Sequence, residues 1–309
     1  MGRAKVTRTD LAAREQLGGT LGFAGRWDVV HTGPPGILSA VPPLGQIVQR
    51  GQMLYEVDGR PVKLLFGGRP AWRDFAVGMD RGEDVRQLEE NLAALGFLAS
   101  AADNRFTAST AAAILRWQAQ LGEQRTGRLP LGSVVFLPEP MRVAALTTPV
   151  GGRAGAEPLL RTTSTRRVVT VDVPTNRQGS VSPGGEVLVT LPGAVRLTAK
   201  VAEVGRVAVS GQDTGALPTV TVLVTLDQPD AAGTLDQVPV QVSVTTAQRK
   251  AVLAVPVTAL TAASGGGYQI RSGSRLITVR PGLFDEVSGL IEISGDGLAD
   301  GMDVEVPAR

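Results

Sequence analysis

The chain has 309 residues, enough for two to four domains with substantial cores, and its lack of cysteine excludes disulfide bonds, thiolate zinc sites and cysteine nucleophiles. Its formal net charge is +2 at pH 7, and because the lysines and arginines are scattered rather than grouped with aromatic residues, nucleic-acid binding is not expected. We find no apolar run near the roughly 18 residues that a membrane-spanning helix requires, and no signal peptide.

The N-terminal segment MGRAKVTRTDLA is charged and begins abruptly. Two interpretations are open: a membrane anchor precedes this segment in the natural protein, or the chain is an ordinary cytosolic protein that starts here. We expect the first, because of the resemblances described below.

A helix is predicted in DVRQLEENLAALGF, residues 84–97. Its apolar stripe, at steps of three and four residues, consists of Val85, Leu88, Leu92 and Leu95. The segment is expected to bury only this side, so the opposite face should be exposed; it consists of Arg86, Gln87, Glu89, Glu90 and Asn91. Asp84 is the predicted N-cap, Gln87 stands at the capping-box position, and Gly96 marks the end of the helix.

A second helix is predicted in RFTASTAAAILRWQAQLG, with Thr107 as its N-cap and Gly122 at its end. Its apolar stripe consists of Thr110, Ile114, Trp117 and Leu121. The stripes of the two helices are expected to face each other. Trp117 is therefore predicted to be a core residue rather than a platform for a ligand.

Outside residues 78–128 the sequence is dominated by valine-rich runs, among them RRVVTVDV, EVLVTL, RLTAKVAEVGRVAV, TVTVLVTL and VPVQVSV. Gly, Pro, Asp and Asn separate these runs, which is typical of short antiparallel strands joined by turns. We therefore predict a mostly β, multidomain fold.

Two short segments on either side of the helices echo each other. GQIVQRGQML places Gly45, Val48, Gly51 and Leu54 at three-residue intervals. GGRAGAEPLL has the same spacing, with Gly151, Ala154, Glu157 and Leu160. A chance similarity between glycine-rich hairpins is the alternative explanation. The segments resemble the half-motifs of lipoyl-like domains. In membrane fusion proteins, the periplasmic adaptors of export pumps, such half-motifs flank a long α-hairpin that reaches an outer-membrane channel.

The C-terminal half resembles the same family. VSPGGEVLVTLPG and GTLDQVPVQVSV are similar to the adaptor β-barrel domain, with Val187, Val189, Val240 and Val242 expected on one buried face. VLAVPVTALTAASGGGYQI and ITVRPGLFDEVSGLIEISGDGLADGMDVEV are similar to the membrane-proximal domain. The resemblance implies an N-terminal segment over 1–33 that forms part of the membrane-proximal region, a split lipoyl-like domain over 34–77 and 134–165, a β-barrel domain over 166–250, and a membrane-proximal domain over 251–309.

The helical segment, residues 78–128, resembles the small three-helix peptidoglycan-binding domain of bacterial wall enzymes. The matching residues are Gly82, Asp84, Val85, Leu88, Leu92, Leu95, Gly96, Phe97, Phe106, Thr110, Ala113, Trp117, Gln118, Gly122 and Gly127. The glycines that usually bracket the phenylalanine are replaced by Asn104 or Arg105 and by Thr107, which predicts a reshaped loop between the helices. The candidate peptidoglycan-contact region comprises Asn104, Arg105, Thr107, Trp117 and Gln118.

Other candidate sites have simpler explanations. His31 is predicted to be a surface histidine, because the chain contains no second histidine. Trp72 and Phe75 could form a sugar-stacking surface with neighbouring arginines, but packing at the junction with the helices is preferred. The acidic residues at turn-like positions are expected to be solvated; they include Asp58, Asp227, Asp230, Asp296, Asp300 and Asp303.

These features together predict a non-enzymatic, extracytoplasmic adaptor of an export pump, anchored in the membrane in its natural form and facing the cell wall. Its partners would be a membrane transporter, by resemblance of the ABC exporter type, and peptidoglycan. No catalytic residue, metal site or cofactor is predicted. The alternatives are a cell-wall hydrolase, whose general acid could be a glutamate in an apolar pocket, and a wall-binding scaffold without a pump.

Overall fold

The computed structural model describes residues 2–209 and 217–307. Its two α-helices in this part of the chain are α1 (Glu83–Ala94) and α2 (Ala108–Gln120). In chain order, the strands are β1 (Gly2–Lys5), β2 (Thr7–Phe23), β3 (Trp27–Val30), β4 (Gly36–Ala40), β5 (Ile47–Val48), β6 (Met53–Val57), β7 (Arg60–Phe66), β8 (Val134–Leu137), β9 (Met141–Leu146), β10 (Arg153–Ala154), β11 (Pro158–Thr163), β12 (Arg167–Pro174), β13 (Glu186–Thr190), β14 (Arg196–Val209), β15 (Thr219–Leu226), β16 (Val238–Pro256), β17 (Thr261–Ala262), β18 (Tyr268–Ser272), β19 (Arg275–Asp285), β20 (Leu290–Ser294) and β21 (Asp303–Val306).

The predicted mostly β, multidomain fold is confirmed. The chain forms two compact units, one made of Phe23–Arg166 and the other of Met1–Gly22 with Arg167–Arg309. Residues 1–33, predicted as one N-terminal segment, are shared between these units. Within the described residues, no helix is both long and apolar enough to cross a membrane.

The unit Phe23–Arg166 contains two sheets, with strand orders β10-β4-β6-β7-β8 and β3-β11-β9-β5. One hydrophobic core takes residues from both sheets, including Leu38 and Leu54 from the first and Val143 and Leu160 from the second. The two sheets therefore fold as a single β-domain.

The two half-motifs occupy equivalent positions in this β-domain. The short strand of each half pairs with the other half, β5 with β9 and β10 with β4. Gly45 and Gly151 both adopt a positive φ, of 85° and 87°, in the turns before these short strands. Gly51 also has a positive φ, of 79°, whereas Glu157 is not among the described residues that do. Glu157 therefore stands in place of the glycine at a position where the backbone does not need a positive φ. The similarity between the two segments reflects a structural repeat.

The helices lie in the crossover between two parallel strands. β7 and β8 pair in parallel from Lys63 with Val134 to Phe66 with Leu137, and such a pair needs a long connection. The core of the helical segment includes residues of both helices and also Leu65, Val134 and Phe136 from the two strands. This core therefore continues into the β-domain.

No third helix follows α2: residues 121–133 form turns and a single bridge between Phe75 and Leu129. Residues 78–128 are called the insert below.

In the other unit, β2 and β16 form a long antiparallel ribbon of 17 and 19 residues within a ten-stranded sheet. The larger core contains the predicted buried valines Val187, Val189, Val240 and Val242, which confirms that alternation. A second core contains Val6, Val255 and Ile270 with other C-terminal residues. β16 runs through the boundary predicted between residues 250 and 251.

Candidate functional site: the surface of the insert

The five candidate contact residues fall into two groups. Asn104, Arg105 and Thr107 are exposed in the loop between α1 and α2, on either side of the buried Phe106. Trp117 and Gln118 are buried on α2. The structure therefore brings the first three together on one loop and places the last two in the interior.

The buried carboxylate of Glu89 stabilises the loop between α1 and α2. Glu89 of α1 is 3% exposed, and its Oε1 accepts a hydrogen bond from the Thr110 hydroxyl at 2.5 Å. Its Oε2 accepts from the backbone N–H of Asp103 at 2.8 Å. Hydrogen bonds to a carboxylate are stronger than neutral ones, so Glu89 fixes both the start of α2 and the loop before it.

The loop backbone has further restraints. Asp103 Oδ1 accepts from the N–H of Arg105 at 2.6 Å, and the carbonyl of Asn104 accepts from the N–H of Gly82 at 2.9 Å. Thr107 is the N-cap of α2, as predicted, and its N–H donates to Thr110 Oγ1 at 3.0 Å. The exposed side chains of Asn104 and Arg105 are therefore presented from a fixed backbone.

Trp117 is only 3% exposed and belongs to the core of the insert, together with Leu88, Leu92 and Ile114. The prediction that its ring is a core element is confirmed. Because so little of the ring reaches the surface, Trp117 offers no platform to a ligand in this conformation.

Gln118 holds the segment that follows α2. Its Oε1 accepts from the N–H groups of Thr126 and Gly127 at 2.8 and 3.0 Å, and its Nε2 donates to Thr126 Oγ1 and to the Arg128 carbonyl, both at 3.0 Å. These four hydrogen bonds use the amide fully. The burial of Gln118 contradicts its prediction as a peptidoglycan-contact residue. Its amide instead stabilises the turn that follows α2.

The prediction that the polar face of α1 is exposed is wrong for Gln87, Glu89 and Asn91, which are buried. Asn91 Oδ1 accepts from the N–H of Phe66, and its Nδ2 donates to the Phe66 carbonyl, both at 2.7 Å. Gln87 forms the same pair with Arg69, accepting its N–H at 3.1 Å and donating to its carbonyl at 2.8 Å. The two side-chain amides act as a substitute strand along the end of β7 and fasten α1 to the β-domain.

Asp84 is not the N-cap of α1, which begins after Gly82 without a side-chain cap. Its carboxylate instead accepts two hydrogen bonds from Arg73, at 2.7 and 2.8 Å. The hydrogen bond with Asp84 raises the pKa of Arg73. Because Asp84 is buried, its charge requires this partner, which explains why the carboxylate turns away from the helix end.

His31 is buried rather than on the surface, which corrects the prediction. Its Nε2 donates to the Pro34 carbonyl at 3.1 Å, so its Nδ1, 3.2 Å from the Tyr55 hydroxyl, accepts from that group. Burial raises the pKa of Tyr55, which keeps the hydroxyl protonated. Both ring nitrogens are used within the β-domain, and no cluster of metal-ligating side chains occurs among the described residues.

The buried carboxylates in the described part of the chain all have partners. Asp84 pairs with Arg73, Glu89 accepts from Thr110, and Asp285 lies 3.3 Å from Arg14. The aspartates predicted to be solvated are all exposed. Among these groups none is an isolated acid in an apolar pocket, an arrangement that raises the pKa of a glycosidase general acid.

Comparison with protein families identifies the insert. Residues 81–129 match the family model described as "Putative peptidoglycan binding domain". This range covers α1, α2 and the segment up to the bridge with Phe75. No curated protein matches the chain by sequence.

Solved structures share the fold of the whole chain. MacA from Actinobacillus actinomycetemcomitans aligns with a TM-score of 0.54 and 13% identity, over 99% of this chain and 99% of its own. A MacA-MexA chimeric protein containing the Pseudomonas aeruginosa MexA α-hairpin domain aligns with a TM-score of 0.51 and 15% identity, over 97% of this chain and 98% of its own. The membrane fusion protein Spr0693 from Streptococcus pneumoniae R6 aligns with a TM-score of 0.41 and 15% identity, over 75% of this chain and 99% of its own. The first two alignments show that the chain has a MacA-like multidomain fold.

Proposed function

From this fold and the matched insert, we propose that the chain is a non-enzymatic, extracytoplasmic adaptor of an export pump. It links a membrane transporter, of the ABC type, to the cell wall through the insert. In its natural form it is anchored in the membrane. The proposed domains are those predicted from the sequence, with the insert joined to the lipoyl-like domain through a common core.

The position of the insert carries the proposal. α1 and α2 lie between the two half-motifs of the β-domain, where the membrane fusion proteins that the sequence resembles have a long α-hairpin. The helices have 12 and 13 residues, which corresponds to about 18 and 20 Å each. A long hairpin has thus been replaced by short helices matching a peptidoglycan-binding family, which favours contact with a nearby wall over docking to a distant channel.

We propose that the wall-contact region consists of Asn104, Arg105 and Thr107, which are the exposed candidates. Hydrogen bonds to Glu89 and Asp103 hold the loop backbone, so the loop itself needs little additional ordering when a ligand binds. A guanidinium with a neighbouring amide and hydroxyl can bind carboxylates and sugar hydroxyls. We assign Trp117 to the core of the insert and Gln118 to the turn that follows α2.

The transporter would be contacted by the barrel and membrane-proximal domains. The C-terminal region exposes several large apolar side chains, which suit a protein partner; they are Tyr268, Leu276, Phe284 and Val287. A membrane transporter recovered in a pull-down with the membrane-anchored protein would support this assignment.

Wall binding is tested by sedimentation of the purified chain with isolated peptidoglycan. We expect co-sedimentation, reduced by Arg105→Ala and unchanged by Arg125→Ala, an exposed arginine elsewhere in the insert. Chain remaining in the supernatant would refute the wall linkage. Release of soluble muropeptides, abolished by substitution of one carboxylate, would instead establish the alternative of a wall hydrolase.

A further inference from the structure

Trp72 lies in the segment between β7 and α1 and is 51% exposed, although Ala71 and Phe75 around it are buried. The sequence prediction that Trp72 and Phe75 both pack at the junction therefore holds only for Phe75. Trp72 also lies outside residues 81–129, which match the peptidoglycan-binding family model. Its exposure is not explained by the packing of the insert.

The segment that carries Trp72 is firmly held. Phe75 exchanges two backbone hydrogen bonds with Leu129, at 2.9 and 3.0 Å, and Asp74 Oδ1 accepts from the N–H of Leu131 at 2.8 Å. Arg73, fixed by Asp84, places its guanidinium carbon 5.6 Å from the centre of the Trp72 ring. The exposed indole is thus presented from a rigid support.

A polar groove of about 440 Å³ lies along the N-terminal part of α1. It is lined by Gly67, Gly68, Arg69, Glu83, Arg86, Gln87 and Glu90. Gly68 leaves open space where a side chain would stand, so a ligand can approach the backbone there. Trp72 follows Arg69 of the groove lining by three residues, and Arg73, whose guanidinium carbon lies 5.6 Å from the indole centre, binds Asp84, the neighbour of Glu83.

We propose that Trp72 and this groove form a saccharide-binding site for the glycan strand of the wall, an inference that rests on the proposed function. The face of a neutral indole has a negative electrostatic potential and suits the C–H face of a pyranose whose substituents are equatorial, as in β-1,4-linked N-acetyl amino sugars. Beside it, Arg69, Glu83 and Arg86 offer donors and acceptors that match sugar hydroxyl and acetamido groups.

The site is tested with the full chain and a soluble β-1,4-linked N-acetylglucosamine tetramer, followed by calorimetry and tryptophan fluorescence. We expect Trp72→Ala to weaken binding about tenfold or more, as for other stacked rings, and Trp72→Phe to retain part of the affinity. Val77→Ala is the matched control, because Val77 is 72% exposed in the same segment and should leave binding unchanged. Both alanine variants should keep the wild-type circular dichroism and melting temperature, since the positions are exposed.

Equal tetramer binding by wild type and Trp72→Ala would overturn the inference, as would binding of a free stem pentapeptide but not of the tetramer. A change of oligomeric state in Trp72→Ala, with tetramer binding intact, would assign the indole to a contact between copies of the chain instead. Sedimentation with peptidoglycan separates the two proposals. If the wild type sediments but tetramer binding is the same in Trp72→Ala, the wall linkage stands and the Trp72 site is refuted. If the wild type does not sediment, the wall linkage fails and tetramer binding alone decides on the site.

Discussion

Asn91→Ala should weaken the attachment of α1 to the β-domain. The side chain of Asn91 makes three hydrogen bonds of 2.7 Å, two with the backbone of Phe66 and one with the carbonyl of Gln87. On the other side of β7, the N–H of Gly67 donates to Leu137 of β8, so the Phe66 groups face the β6 side of the strand, beyond the residues that pair with β6. An alanine side chain can form none of the three hydrogen bonds that Asn91 makes.

The expected loss of unfolding free energy is about 2–4 kcal/mol. A buried hydrogen bond contributes about 1 kcal/mol net, and a buried partner left unsatisfied costs about 1–3 kcal/mol. Phe66 is half-buried, so water can partly replace the lost amide, which places the estimate at the lower end of the sum of these terms. Asn91→Asp should cost at least as much, because it places a carboxylate against the Phe66 carbonyl.

The free energy of unfolding is measured by urea titration of the full chain, with Glu90→Ala as an exposed control on the same helix. Hydrogen exchange of the Phe66 amide provides a local measurement, and it should be faster in Asn91→Ala than in the control. A loss below about 0.5 kcal/mol for Asn91→Ala, or an unchanged exchange rate at Phe66, would refute the role of the side chain as a substitute strand.

Three further predictions concern the same unit. Trp117→Ala should lower the free energy of unfolding by about 3–5 kcal/mol in calorimetry. Because the core around Trp117 continues into β7 and β8, the insert and the β-domain should melt together. A separate early transition would contradict this. Gly67→Ala should lower the free energy of unfolding by about 1–3 kcal/mol in urea titration, because its methyl group would lie 1.9 Å from Cδ of Gln87 and displace the amide. Gly68→Ala is the control and should have little effect, because the space around Gly68 is open. Equal losses for the two variants would argue against the clash. Arg73→Met should cost about 3–5 kcal/mol in the same titration, because it leaves the buried Asp84 without its partner; a neutral result would show that this charge is solvated.

Local patterns in the sequence predict several elements correctly. The alternating valines place Val187, Val189, Val240 and Val242 in one core, because neighbouring residues of a strand point to opposite faces. The stripe on α2 identifies Trp117 as a core residue, since residues three and four apart share one side of a helix. Each of these inferences depends on one element alone.

The candidate site was predicted less completely. The loop with Asn104, Arg105 and Thr107 is exposed, but the amide of Gln118 is used entirely by the turn that follows α2. The resemblance of the insert to a family could not indicate this, because a matching residue is compatible with either packing or binding. The distinction depends on which hydrogen-bond partners surround the side chain.

Only the tertiary structure shows that part of the polar face of α1 is buried. Its Gln87, Glu89 and Asn91 have the pattern of a solvated surface, yet they are buried. Their hydrogen-bond partners are in Arg69, Asp103 and Phe66, which only the fold brings next to the helix. Hydrophobic periodicity reports which side of an element avoids water, but it carries no information about polar groups elsewhere in the chain that can replace water as hydrogen-bond partners. The sequence therefore determined where the strands and helices form, and the packing of distant backbone against side-chain amides determined how the insert is joined to the β-domain.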